Sequence, residues 1–115
     1  MKDCIFCKIV SGEIPSEKIY ENDSFFSILD QNQDIKGHAL IISKDHFENT
    51  LDLPSSSGSD FLYCVKETAL KVMGKQDAKG FNLIGNNFSA AQQAVMHFHA
   101  HIIPRKAGDG LNVLE

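Results

Sequence analysis

Near the end of the chain lies a segment that one kind of secondary structure uses coherently: His97-Phe98-His99-Ala100-His101-Ile102-Ile103. In a strand, its alternation turns all three imidazoles to one face, about 6.6 Å apart. Phe98, Ala100 and Ile102 then go to the opposite face. A helix would bring only His97 and His101 together and turn His99 away. The pattern predicts a strand from Met96 to Ile103, stopped by Pro104, with one face for a core and one for chemistry.

The rest of the chain supplies the sheet that such a strand needs. Lys18–Glu21 and Phe25–Leu29 read as strands joined at the turn-prone pair Asn22-Asp23, and His38–Ile42 is apolar enough to be central. Gly80–Ile84 completes the set. One short helical turn fits Ile5–Val10, ended by Ser11-Gly12. After the loop Pro54–Asp60, Ser59 or Asp60 is placed to cap a long helix. Its apolar stripe is Leu62, Val65, Ala69, Leu70, Val72 and Met73. Five strands and one long helix predict an α+β fold, a helix packed on an antiparallel sheet. With 115 residues, 43% hydrophobic, the chain suits a single domain over 1–115.

Three histidines on one strand face admit three uses: polar surface, metal ligands, or catalysis. Neutral imidazole is a good nucleophile, and its ordinary pKa near 6.5 keeps it mostly unprotonated at neutral pH. Attack on a phosphate ester would split one hard displacement into two easier ones, with neighbouring imidazoles holding oxygens or moving protons. Cys4 and Cys7 form a Cys-x-x-Cys pair, which in a reducing compartment is more often a metal clip or redox pair than a structural disulfide. Cys64 reads as a small buried apolar residue.

The run His97–Ile103 resembles the His-φ-His-φ-His-φ-φ signature of the histidine triad superfamily of nucleotide hydrolases and transferases. The likeness extends through Cys4-Ile5-Phe6-Cys7-Lys8-Ile9, Gly12-Glu13-Ile14-Pro15, Asp30, Gly37-His38 and Lys44-Asp45-His46. It is nearest to the branch that hydrolyses nucleoside phosphoramidates, in its bacterial form. The resemblance implies a HIT-like fold and a covalent nucleotidyl intermediate on His99. It gives His101 and His38 supporting roles, and Asp30 the ribose hydroxyls. Ile5, Phe6, Ile9 and Ile28 would line a base pocket, while Asn86, Gln93 and Ala94 would face the phosphate. His46 and His97 would complete a structural zinc site with Cys4 and Cys7. A purine nucleotide, AMP, GMP or a conjugate of either, is the implied ligand, and a homodimer the implied assembly. No organic cofactor is implied.

Two departures stand out. Where the family usually has Gly-Gln-Ser or Gly-Gln-Thr, this chain has Gln92-Gln93-Ala94, and so lacks a hydroxyl that could contact phosphate or leaving group. Losing one such donor can cost about tenfold to a thousandfold in rate. Gln31 stands where the family is usually apolar, which would make the base pocket more permissive. The alternatives are a dinucleoside polyphosphate hydrolase, in which Arg105 and Lys106 would meet extra phosphates, and a non-catalytic nucleotide sensor. Solvated tail charges are the plainer reading of Arg105 and Lys106.

A net charge of −4 argues against holding nucleic acid or anionic lipid by bulk charge. No run approaches the 18 or so apolar residues of a membrane span, and the start Met1-Lys2-Asp3-Cys4 lacks a signal-peptide pattern. A cytoplasmic protein with neither nucleic-acid nor membrane partners is expected. Leu114-Glu115 reads as a cloning scar and carries no argument.

Overall fold

The run Ala39–Ser43 carries no charge and four apolar side chains in succession before one serine, so it suits the middle of a sheet. In the computed structural model, which describes residues 3–112, this run is a strand (β3, Ala39–Ser43) buried at every position. Met1, Lys2 and Leu114-Glu115 therefore lie outside the described residues. Its neighbours are β2 (Phe25–Leu29) on one side and β5 (His99–Arg105) on the other. The edges are β1 (Lys18–Glu21) beside β2, and β4 (Gly80–Ile84) beside β5. All four pairings of this five-stranded sheet are antiparallel.

Strand alternation splits the core in two. Phe25, Ala39, Ile41, Phe98, Ala100 and Ile102 face the long helix (α2, Gly58–Gln76) and meet Cys64, Val65, Ala69 and Val72. Phe26, Ile28, Leu40 and Ile42 face the other way, onto Phe6 and Ile9 of a one-turn helix (α1, Ile5–Val10). The fold is thus the expected α+β arrangement of one antiparallel sheet, one long helix and one short one. Ile41 and Ile102 are both fully buried, and truncating either to Ala would cost about 2–5 kcal/mol.

The β1–β2 turn is an Asn device. Asn22 Oδ1 accepts from the N–H of Ser24 and of Phe25, at 3.0 and 2.9 Å. Its amide also donates to the Asp60 carbonyl at 2.9 Å, while Ser24 Oγ donates to the Asp60 carboxylate at 2.6 Å. Asp60 is therefore occupied in tying the hairpin to α2. The helix starts at Gly58, ahead of both expected caps, after a 3-10 turn at Ser55–Ser57 and with no side-chain cap.

The buried stripe of α2 also differs from the expected one. Cys64 and Thr68 lie inside, Thr68 Oγ1 donating to Ser27 Oγ at 2.6 Å, while Leu62 and Leu70 are exposed. Counting apolar residues misplaced the stripe because a Thr–Ser hydroxyl pair satisfies itself within the core. The last strand differs at both ends. His97 lies in a bend before it, and the strand runs through Pro104 to Arg105. Pro104 falls beyond the last β3 pair, Ala39↔Ile102, so its missing N–H removes no rung there.

Candidate active site and metal centre

The histidine face lies on the α1 side of the sheet, and its three imidazoles divide between two groups. His97, fully buried, turns toward α1. There Cys4 occupies the N-cap position, its Sγ accepting the Cys7 N–H at 3.4 Å, so one helical turn sets both sulfurs toward the sheet. His97 Nδ1 lies 3.2 Å from Cys4 Sγ and 3.5 Å from Cys7 Sγ; His46 Nδ1 lies 3.2 Å from Cys7 Sγ and 3.1 Å from His97 Nδ1. His46 reaches the group from the segment after β3, where Ser43 Oγ donates to the Asp45 carbonyl.

These separations resemble the edges of a small tetrahedron. With Zn–S near 2.3 Å and Zn–N near 2.0 Å, tetrahedral ligation gives edges of roughly 3.3–3.8 Å. His97 Nε2 faces the Ser43 carbonyl at 2.7 Å, and donating there leaves Nδ1 bare toward the sulfurs. Burial, above all, lowers the pKa of His97 and favours the neutral ring. Burial and the adjoining Cys4 sulfur hold Cys7 above the ordinary thiol value, so cation binding would have to displace a proton. Two soft sulfurs and two imidazole nitrogens at this spacing suit a tetrahedral, closed, structural cation site.

Two residues on, His99 belongs to a different group. Its Nδ1 is 2.9 Å from the His97 carbonyl; donation there leaves Nε2 unprotonated. The Phe6 ring packs edge-on at 5.1 Å and limits the ways the imidazole can turn. On the far side stands His101, whose Nδ1 is 2.9 Å from His38 Nε2. Asp30 Oδ2 lies 3.8 Å from the other nitrogen of His38. Burial, then the neighbouring His99 and His38, push the His101 pKa down to about 4, so this ring is neutral near pH 7. One N–H lies between the two rings in either tautomer, and its position sets whether His101 Nε2 donates or accepts.

Both His99 and His101 open onto a cavity of about 460 Å³. Its walls include Ile5, Phe6 and Ile9 from α1, with Ile28 and Leu40 from the sheet, and its rim includes Asp30 and Gln31. A cleft of this size, apolar with a few converging polar groups, suits a small organic ligand. Ala94 lines it as well. His38 stands behind His101 rather than in the cavity wall.

The family resemblance gives Asn86 and Gln93 a phosphate-facing role. Neither lines the cavity. The Gln93 amide is consumed by backbone groups of two loops: Oε1 accepts the Phe88 N–H at 2.7 Å, and Nε2 donates to the carbonyls of Glu48 and Val95, at 2.5 and 3.0 Å. It shapes the backbone that carries Ala94. Arg105 is not a solvated tail charge either. It pairs with Asp109 at 2.8 Å and donates to Asn82 and to the Leu111 carbonyl, fastening residues 106–111 to the sheet. Sequence reasoning missed Leu40, although its alternation with Ile42 announced the face; it also missed Ser16 and Glu17 at the rim, for which no local pattern exists.

A relative in Methanocaldococcus jannaschii, an uncharacterised HIT-like protein, is 43% identical over 107 residues, which span 93% of this chain and 82% of that one. The adenosine 5′-monophosphoramidase of Schizosaccharomyces pombe is 41% identical over 102 residues, spanning 89% of this chain and 74% of its own. Among solved structures, a zinc-bound histidine triad family protein from Mycobacterium smegmatis superposes with a TM-score of 0.88 at 35% identity, covering 97% of this chain and 81% of that one. The model of the HIT domain matches residues 11–108, from just after α1 to the tail beyond β5, and the chain belongs to the HIT domain family.

Proposed function

We propose that the protein hydrolyses purine nucleoside 5′-phosphoramidates or related nucleotidyl conjugates through a covalent nucleotidyl–His99 intermediate. Membership of the HIT family, with adenosine 5′-monophosphoramidases among its relatives, supports a nucleotide hydrolase of HIT type. The observation that carries the finer reading is the His99 Nδ1 contact to the His97 carbonyl, which leaves Nε2 free at the cavity wall beside a neutral His101. The base would lie among Ile5, Phe6, Ile9 and Ile28, with Asp30 accepting from the ribose hydroxyls.

In the first step His99 Nε2 bonds to phosphorus as the bond to the leaving nitrogen breaks. That nitrogen takes a proton from solvent, relayed through the His38–His101 pair, which takes up one proton as it hands one on. In the second step water attacks phosphorus and its proton passes back to solvent through the same pair; the Nε2–P bond breaks and nucleoside monophosphate leaves. Backbone N–H groups near Ala94 are the remaining donors available to the phosphate, since the residue offers no hydroxyl.

Zinc is the cation we assign to Cys4, Cys7, His46 and His97, where it would tie α1 to the sheet and take no part in the reaction. The exposed β4 edge gives the proposed homodimer a physical motive. No helix among the described residues is long and apolar enough to cross a membrane, and a cytoplasmic location without nucleic-acid partners remains our reading. A second reading, a nucleotide sensor without turnover, is favoured specifically by Ala94. The engagement of Arg105 by Asp109, Asn82 and Leu111 counts against a site for additional phosphates there.

The test is quenched incubation with adenosine 5′-phosphoramidate, followed by intact-mass measurement of the protein. A nucleotidyl adduct and AMP release are expected, both lost in His99→Ala with a fall of at least about 10³-fold in rate. Nucleotide binding with neither adduct nor release would select the sensor.

A further inference from the structure

A nucleotidyl conjugate has two halves joined at phosphorus, a nucleotide and a leaving group. A second cavity, of about 490 Å³, lies against the first and shares Ala94 and Val95 with it. We propose that this second cavity receives the leaving group and selects one that carries a positive charge, an amine with a cationic tail. This inference rests on the hydrolase reading above.

Geometry supports the direction of travel. In-line displacement by His99 sends the leaving group away from the sheet, past the phosphate. Ala94 lines both cavities, and at their boundary it places no side chain larger than a single methyl. The partition is also held firmly, because the Gln93 amide donates to the carbonyls of both Val95 and Glu48. The same two bonds fix the Glu48 backbone beside the partition.

Charge supports the selection. Among the described residues, the carboxylates lining the second cavity are Asp3 and Glu48, with no Lys or Arg beside them, and Met96 adds an apolar stretch suited to an alkyl linker. Cys4 and His46 form the remaining wall; a divalent cation there is balanced by two thiolates, so the carboxylates set the sign. The segment from Asp45 to Asp52 carries three acids and no Lys or Arg, and Asp52 accepts the Glu48 N–H at 3.0 Å. Fixed charge of one sign in a concave wall favours the opposite charge in a ligand.

The test uses the full chain with its metal and four adenosine 5′-phosphoramidates. One is unsubstituted on nitrogen; three carry alkyl tails of equal length ending in ammonium, hydroxyl or carboxylate, long enough to equalise the basicity of the leaving nitrogen. We expect kcat/KM to fall from ammonium to carboxylate by about tenfold, a difference of about 1.4 kcal/mol. Glu48→Lys should erase or invert that order, and Glu48→Gln should reduce it. Ratios are taken within each variant, so any effect on the common chemistry cancels. Equal rates for the three tails, or an order unchanged in Glu48→Lys, would overturn the leaving-group assignment while leaving the hydrolase reading intact. Failure to cleave even the unsubstituted compound, with no adduct, would overturn both.

Discussion

At the scale of single residues, the loop between β4 and β5 carries the sharpest conflict between sequence and conformation. Phe88 sits at φ 71°, ψ 156°, a region essentially reserved for glycine, and its side chain is 53% exposed. That backbone costs on the order of 1–3 kcal/mol, and little buried area offsets it. Phe88→Gly should therefore stabilise the protein by about 1 kcal/mol after the added freedom of the unfolded chain is subtracted, visible as a higher urea midpoint. A lower midpoint would mean that the Phe88 ring makes contacts worth more than the strain. His101 makes a pH prediction. Its folded pKa, about 4, lies below the ordinary value near 6.5, so the unfolded chain binds the proton more readily. Stability from this ring's neutral burial is full above pH 6.5 and is lost as pH falls toward 4. The drop over that window should be smaller in His101→Asn, measured by chemical denaturation at a series of pH values.

Between elements, the main dependence runs from α1 to the cavity onto which His99 and His101 open. Six residues cannot hold a helix in water on their own, yet α1 supplies Ile5, Phe6 and Ile9 to the cavity wall. Its anchors are the packing of Phe6 and Ile9 on the sheet and the meeting of Cys4 and Cys7 with His46 and His97. Stripping the cation we propose there should speed amide exchange across residues 5–12 and weaken AMP binding by roughly tenfold, which is less than the burial of one such side chain is worth. Unchanged exchange protection in metal-free protein would show that packing alone holds α1. How far each element was legible follows from the range of the forces that made it. The histidine alternation is local, and so are the Asn22 turn and α1, and each was readable in the sequence. Gln93 was not, because its partner Glu48 lies 45 positions away and the bond exists only once the loops meet. The α2 stripe was misplaced for the same reason, since Thr68 finds Ser27 across the core.

Over the whole molecule, the two edges of the sheet are unequal. At β1, Lys71 from α2 donates to the Ile19 carbonyl at 2.8 Å and covers part of the edge. At β4, Phe81 and Leu83 are both exposed, opposite Pro104 and Ile102 on the α2 side. On the wheel of α2, Leu62 lies across the buried stripe from Lys71, toward this same edge, and is 52% exposed. An open ladder bordered by three large apolar side chains is a surface that natural sheets seldom leave to water. A twofold axis through β4 would pair it with its own copy and continue the antiparallel sheet, joining like surface to like as an isologous dimer requires. Sedimentation velocity should therefore find a dimer at micromolar concentration and a monomer for Leu83→Lys. That charge lies on the α2 side, away from the histidine face, so His99 should still take up a nucleotidyl group in the monomer. A parent that sediments as a monomer removes the dimer. A monomeric variant that fails to form the adduct while keeping its fold would mean instead that the second copy completes the site.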